Sequence, residues 1–139
     1  MRIVLDTNIL VSAFTSKLGH SAKIIDLISM LEEIQLVSSE PILGEFKNIL
    51  SRDEVKARFN YSTHDIEAFA SSIRDASTIV KLKSNFKVIK EDREDDVVLN
   101  TAYSGRAGYI VSGDRHLIPL REFKGIKIVT VSEMLELLK

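Results

Sequence analysis

The chain has no cysteine among its 139 residues, so disulfides and thiolate metal sites are excluded. No apolar run approaches the roughly 18 residues that a membrane span requires. No basic-then-apolar segment opens the chain; Met1 runs straight into a strand-like stretch, and no signal peptide is expected. Internal repeats, low-complexity tracts and linkers are also lacking. Neither sign of charge dominates: the formal net charge is −1, which does not announce a nucleic-acid binder. A local basic patch or a bound cation supplies attraction that such a total conceals. These absences fit a reducing cytoplasm and leave one domain over 1–139, large enough for a real core. Hydrophobic residues at 45% and charged residues at 28% are an ordinary globular balance.

What is present begins at Arg2. Ile3, Val4 and Leu5 form a continuous apolar run, as a strand buried on both faces does, and Asp6 ends it. Thr7 and Asn8 are helix-capping types, and Ile9, Leu10, Ala13 and Phe14 then recur at helical spacing. Ligands of parallel α/β sheets bind beyond the carboxyl ends of strands, and Asp6 stands at that position.

The rest of the chain alternates short β-like runs with helical patterns, which predicts an α/β fold with a parallel sheet. Strands are expected at Ile34 to Val37, Thr78 to Leu82, Tyr109 to Val111 and Lys127 to Val129. Helices are expected from Ser21, from Ser38-Ser39-Pro41, from a Ser51/Glu54 capping box, near Thr63, near Asp95 or Asp96, and after a Thr130/Glu133 capping box. Lys83 to Glu94 is polar and irregular, as a surface loop is.

Four acids merit separate treatment. Asp114 in Tyr109-Ile110-Val111-Ser112-Gly113-Asp114 repeats the arrangement at Asp6: an apolar run, then a carboxylate at its carboxyl end. Each could simply cap the following helix, but capping alone does not require an acid where Ser or Asn serves. Glu45 falls about 40° from Ile49 on a helical wheel, at the edge of the stripe formed by Ile42, Phe46, Ile49 and Leu50. A carboxylate half-turned into a core needs a partner: a lysine, an arginine or a cation. In Asp92-Arg93-Glu94-Asp95-Asp96 most charges are expected to be solvated. Val98, Leu99, Ala102 and Tyr103 define the expected buried arc; Asp96 lies at its edge beside Tyr103, whereas Asp95 would point into the arc if helical and is read as the cap. Clustered carboxylates repel one another, and a divalent cation removes that conflict. Oxygen donors without cysteine favour Mg²⁺ or Mn²⁺ over zinc. His20 and His64 are isolated; His116, close to Asp114, could touch a substrate phosphate.

In order along the chain, Val4-Leu5-Asp6-Thr7-Asn8, Glu45 within Pro41-Ile42-Leu43-Gly44-Glu45-Phe46, Asp95-Asp96-Val97-Val98-Leu99 and Val111-Ser112-Gly113-Asp114 resemble the four acidic motifs of PIN-domain ribonucleases. The nearest branch is similar to prokaryotic PIN proteins considered toxins of toxin–antitoxin pairs. The resemblance implies a sheet of strand order 3-2-1-4-5 and a metal-dependent endoribonuclease. Its one or two Mg²⁺ or Mn²⁺ ions would be held by Asp6, Glu45, Asp96 and Asp114. It also implies RNA as substrate, a small antitoxin partner and a homodimer. Thr7, Asn8 and Ser112 are then candidates to orient carboxylates or water. Among Lys17, Lys47, Arg52, Arg93 and Arg115, Arg115 is the preferred contact for the RNA backbone.

Two rival enzymes fit less well. A haloacid-dehalogenase-like phosphatase wants Asp-x-Asp, and Asn8 occupies the second place. A receiver domain wants an Asp after the third strand, where Leu82-Lys83-Ser84 offers none. The other alternative is a non-catalytic PIN-fold binding or regulatory module, against which the intact acids argue.

Overall fold

The structure, a computed structural model, describes residues 1–89 and 93–139, without the side chains of residues 93 and 94. Arg93 as an RNA contact, and the charges of 92 and 94, therefore lie outside the described residues.

Strand β1 (Arg2–Leu5) leads into α1 (Thr7–Thr15), and α2 (His20–Met30) returns the chain to β2 (Gln35–Ser38). Three helices follow: α3 (Glu40–Leu50), α4 (Asp53–Phe59) and α5 (Thr63–Ala76). Then come β3 (Ser77–Ile79), α6 (Arg93–Ser104) and β4 (Tyr109–Val111). Short strands β5 (Glu122–Phe123) and β6 (Ile126–Val129) precede the closing helix α7 (Val131–Leu137). The sheet order is β3-β2-β1-β4-β6-β5, parallel except for the β5–β6 pair. This is the expected 3-2-1-4-5 sheet with one addition: the two-residue β5 pairs antiparallel on the outer edge of the strand expected at Lys127. So brief a strand carries too little pattern to be read from sequence.

The central strands are buried on both faces, as their unbroken apolar runs require. Ile3, Val4, Ile110 and Val111 are all fully enclosed. Each such side chain contributes roughly 1.5–3 kcal/mol of burial. Helix α6 reaches the sheet closely at its end, because Gly105 leaves room there: a Cβ on it would stand 2.4 Å from Val37 Cγ1. No helix among the described residues is long and apolar enough to cross a membrane.

Local capping departs from expectation in instructive places. The second helix is capped by Gly19 rather than Ser21, which is buried as the second residue of the helix. The Ser51/Glu54 capping box does not form, since α4 starts from Arg52. Ser39 precedes α3 but its hydroxyl bonds Thr101 Oγ1 at 2.8 Å, tying α3 to α6. The Thr130/Glu133 box forms as read, and a second box, Ser62/Asp65, starts α5.

Candidate metal centre at the carboxyl edge of the sheet

Asp6 sits where β1 ends and α1 begins. Its N–H donates to the carbonyl of Val111 at 2.9 Å, which continues the ladder between β1 and β4 by one residue. Its carbonyl accepts from Ile9 N, so the residue occupies the N-cap position. The carboxylate, however, makes no capping hydrogen bond. It turns across the sheet edge and accepts a 2.6 Å hydrogen bond from Ser112 Oγ. This separates the two readings of Asp6: helix capping does not explain its acid group.

Ser112 is wholly buried and couples the two strand ends. Its own N–H donates to Val129 O, while its hydroxyl oxygen accepts from the Asp114 N–H at 3.0 Å. Asp114 thereby stands beside Asp6, as the strand order demands. One Asp114 oxygen, Oδ1, accepts from the His116 N–H at 2.7 Å, so this acid does shape its own turn.

Glu45 on α3 is half-buried and faces the same place. No ion pair engages it among the described residues, so the lysine or arginine clamp considered from its wheel position is not what holds it. Lys47, two residues on, pairs instead with Glu67 at 3.1 Å. Together Asp6, Glu45, Asp95 and Asp114 line a cavity of about 330 Å³, with Thr7, Asn8, Ile49 and Arg52 completing its walls.

Asp96 is not among those residues. Its Oδ1 accepts the backbone N–H groups of Val88 and Ile89, at 2.9 and 2.8 Å. One turn later Asn100 does similar work: its Oδ1 accepts from Ser84 Oγ and Phe86 N, and its Nδ2 donates to Phe86 O. That side of α6 does not face the site; it holds the segment 84–89. Tyr103, expected in the buried arc, is instead exposed, because it packs edge-on against Phe86 at the surface. Asp95 was expected to cap the helix. Because α6 starts at Arg93, Asp95 is already helical, and it points along the face of Val98, Leu99 and Ala102, 3% exposed. Two residues in the helix start decide which of two neighbouring acids reaches the cavity. The wheel argument already held that answer, since it sent a helical Asp95 into the arc.

His116 completes the cluster. Its Nδ1 lies 3.5 Å from Asp95 Oδ2 and 3.6 Å from Asp114 Oδ1. Ligand-type atoms of these three residues all fall within 4.8 Å of one another. Arg115, the preferred cation from sequence, is exposed and does not line the cavity; Arg52 does. Hard carboxylate oxygens converging from four separate elements suit a divalent cation such as Mg²⁺ or Mn²⁺.

The chain matches the family model of the PIN domain over residues 2–116. An uncharacterized protein of Methanocaldococcus jannaschii is 32% identical over 129 residues, spanning 92% of this chain and 81% of that protein. Among solved structures, VapBC2 from Rickettsia felis, bound to a DNA fragment from its promoter, is similar at a TM-score of 0.67 and 12% identity, over 94% of this chain and 98% of that one. VapBC-1 from nontypeable Haemophilus influenzae gives 0.62 and 11%, over 95% and 99% of the two chains. A Pyrobaculum aerophilum protein gives 0.63 and 17%, over 99% and 89%. At these identities the structural likeness concerns the fold. The family match over most of the chain and the relative at 32% identity carry the assignment further: this chain belongs to the PIN-domain family, whose members are generally nucleases that use divalent metal ions.

Proposed function

We propose that this protein is a Mg²⁺- or Mn²⁺-dependent endoribonuclease that hydrolyses RNA phosphodiester bonds. The observation that carries the reading is the cavity lined by Asp6, Glu45, Asp95 and Asp114, drawn from two strand ends and two helices. These residues would hold the cation, with Asp95 in the role that the sequence pattern gave to Asp96. When bound, the cation supplies a Lewis acid at the scissile phosphate and makes a nearby water acidic enough to attack.

The chain's own groups prepare that event. The Ser112 hydroxyl donates to Asp6 Oδ2 at 2.6 Å and so orients this carboxylate at the cavity. Such an orienting hydrogen bond typically matters 10–100-fold to metal affinity or activity, to order of magnitude (~). Arg52 and Asn8, on the cavity wall, are placed to meet phosphate oxygens entering from solvent. No side chain has to serve as the nucleophile.

Similarity to VapBC structures supports a small antitoxin as partner, with this chain as the toxin. A homodimer is proposed on the family resemblance alone; light scattering at micromolar concentration tests it, and a monomer mass overturns it. The deciding experiment is cleavage of single-stranded RNA with Mn²⁺ or Mg²⁺. Activity in the parent, silence with EDTA and silence in Asp6→Asn are expected. Equal cleavage by parent and Asp6→Asn, with contaminating nucleases excluded, sinks the mechanism. No cleavage of any RNA by the parent favours the non-catalytic binding module instead.

A further inference from the structure

Building on the proposed cation site, we infer that His116 is itself a ligand: its Nδ1, with Asp95 and Asp114, forms a mixed nitrogen–oxygen set that selects Mn²⁺, as a first-row transition-metal dication, over Mg²⁺. The geometry is the first argument. Nδ1 stands 3.5 Å from Asp95 Oδ2 and 3.6 Å from Asp114 Oδ1. Those distances are too long for hydrogen bonds. They suit donors sharing one ion, because ligands about 2.0–2.2 Å from a common metal lie roughly 3–3.5 Å apart.

The second argument is the state of the nitrogen. Nδ1 is buried and makes no hydrogen bond among the described residues. A buried polar atom left so costs about 1–3 kcal/mol unless something satisfies it. The backbone sets its direction. The His116 N–H donates to Asp114 Oδ1, and the Leu117 and Ile118 N–H groups donate to Asp114 O, so a tight turn holds the imidazole against the two carboxylates. Leu117, fully buried, anchors the far end of that turn.

Selectivity follows from donor chemistry. Mg²⁺ keeps oxygen ligands and water, whereas imidazole suits the transition-metal dications. A set of carboxylates alone does not separate Mg²⁺ from Mn²⁺ by donor type; adding His116 does.

The test uses full-length protein and two readouts that need no RNA. Calorimetry with Mn²⁺ and with Mg²⁺ gives the ratio of affinities, and electron spin-echo spectroscopy of bound Mn²⁺ detects a directly coordinated nitrogen. Expected is a nitrogen coupling in the parent and in the His20→Gln/His64→Gln variant, whose altered side chains are both exposed. In His116→Gln the coupling should vanish, and the preference for Mn²⁺ over Mg²⁺ should fall about tenfold. Mn²⁺ bound by the parent without nitrogen coupling, or with coupling unchanged in His116→Gln, overturns the His116 assignment and leaves the carboxylate site standing. Failure of the parent to bind either cation overturns both. Should His116→Gln not fold, the parent and the double variant still decide the matter, because the coupling must then come from His116.

Discussion

Asp95 and Asp96 are chemically identical neighbours on α6, and the fold gives them opposite work. Asp95 turns toward the carboxyl edge of the sheet, into the cavity with Asp6, Glu45 and Asp114. Asp96, about 100° round the helix, turns toward the segment 84–89 and accepts two backbone N–H groups. One face of α6 collects like charges that repel. The other satisfies backbone donors and so secures the chain that leads into the helix. The lesson is that a run of acids is not one feature: adjacent carboxylates divide between the cavity wall and the support of a neighbouring segment according to helix phase.

Variants can break that contrast. The largest effect is expected on the cavity face. Asp95→Asn and Asp6→Asn should each lose at least about a hundredfold in cation-dependent RNA cleavage while melting no lower than the parent, because removing one charge relieves repulsion. Mn²⁺ should raise the melting temperature of the parent and much less that of these variants, since a ligand bound only by the native state stabilises it. Parent-like cleavage by Asp95→Asn would return the third acidic position to Asp96.

The opposite face should respond in stability. Asp96→Ala strips a charged acceptor from the Val88 and Ile89 N–H groups and should cost about 2–4 kcal/mol in denaturant unfolding. Its remaining folded protein should still gain stability from Mn²⁺. If Mn²⁺ no longer shifts its melting temperature, the division between the two faces is wrong.

Gly105→Ala probes how tightly the same helix meets the sheet. The added methyl would drive into Val37, itself in the core, so a loss of about 1–3 kcal/mol is expected. An unchanged unfolding midpoint would mean that the helix end can shift freely.

The smallest effect concerns acids that plainly do cap helices. The Ser62 N–H, then the Ser62 hydroxyl contact, holds the Asp65 carboxyl below its ordinary pKa; the Thr130 N–H and hydroxyl do the same for Glu133. A carboxylate lowered by folding stabilises above its unfolded pKa, and that stability is lost as pH falls through the folded value. Melting temperature should therefore decline below about pH 4. The decline should be shallower in Asp65→Asn/Glu133→Gln. Identical slopes in parent and variant would assign the acid sensitivity to other groups.

These contrasts also mark how far the sequence could be read. The apolar runs before Asp6 and Asp114 are buried strands, and a parallel sheet then brings both acids to one edge. Glu45 followed from the stripe of α3, which admits one charged edge toward the sheet end. Ser112 was visible only as a candidate, since nothing local distinguishes a turn serine from one that bridges Asp6 and Asp114. Periodicity and strand-end position thus set by themselves the fold class, the two acids at strand ends and the half-turned position of Glu45, because these depend on patterns within single elements; only the family resemblance implied that the acids belong together. The tertiary structure decided where α6 starts, and with it the fourth acid that the wheel leaves conditional on a helical Asp95; it also decided the placement of Arg52 rather than Arg115 and the approach of His116. The physical reason is the start of α6: backbone donors of residues 88 and 89, distant in pattern from any helix signal, claim Asp96, and that pairing orients Asp95 toward the cavity.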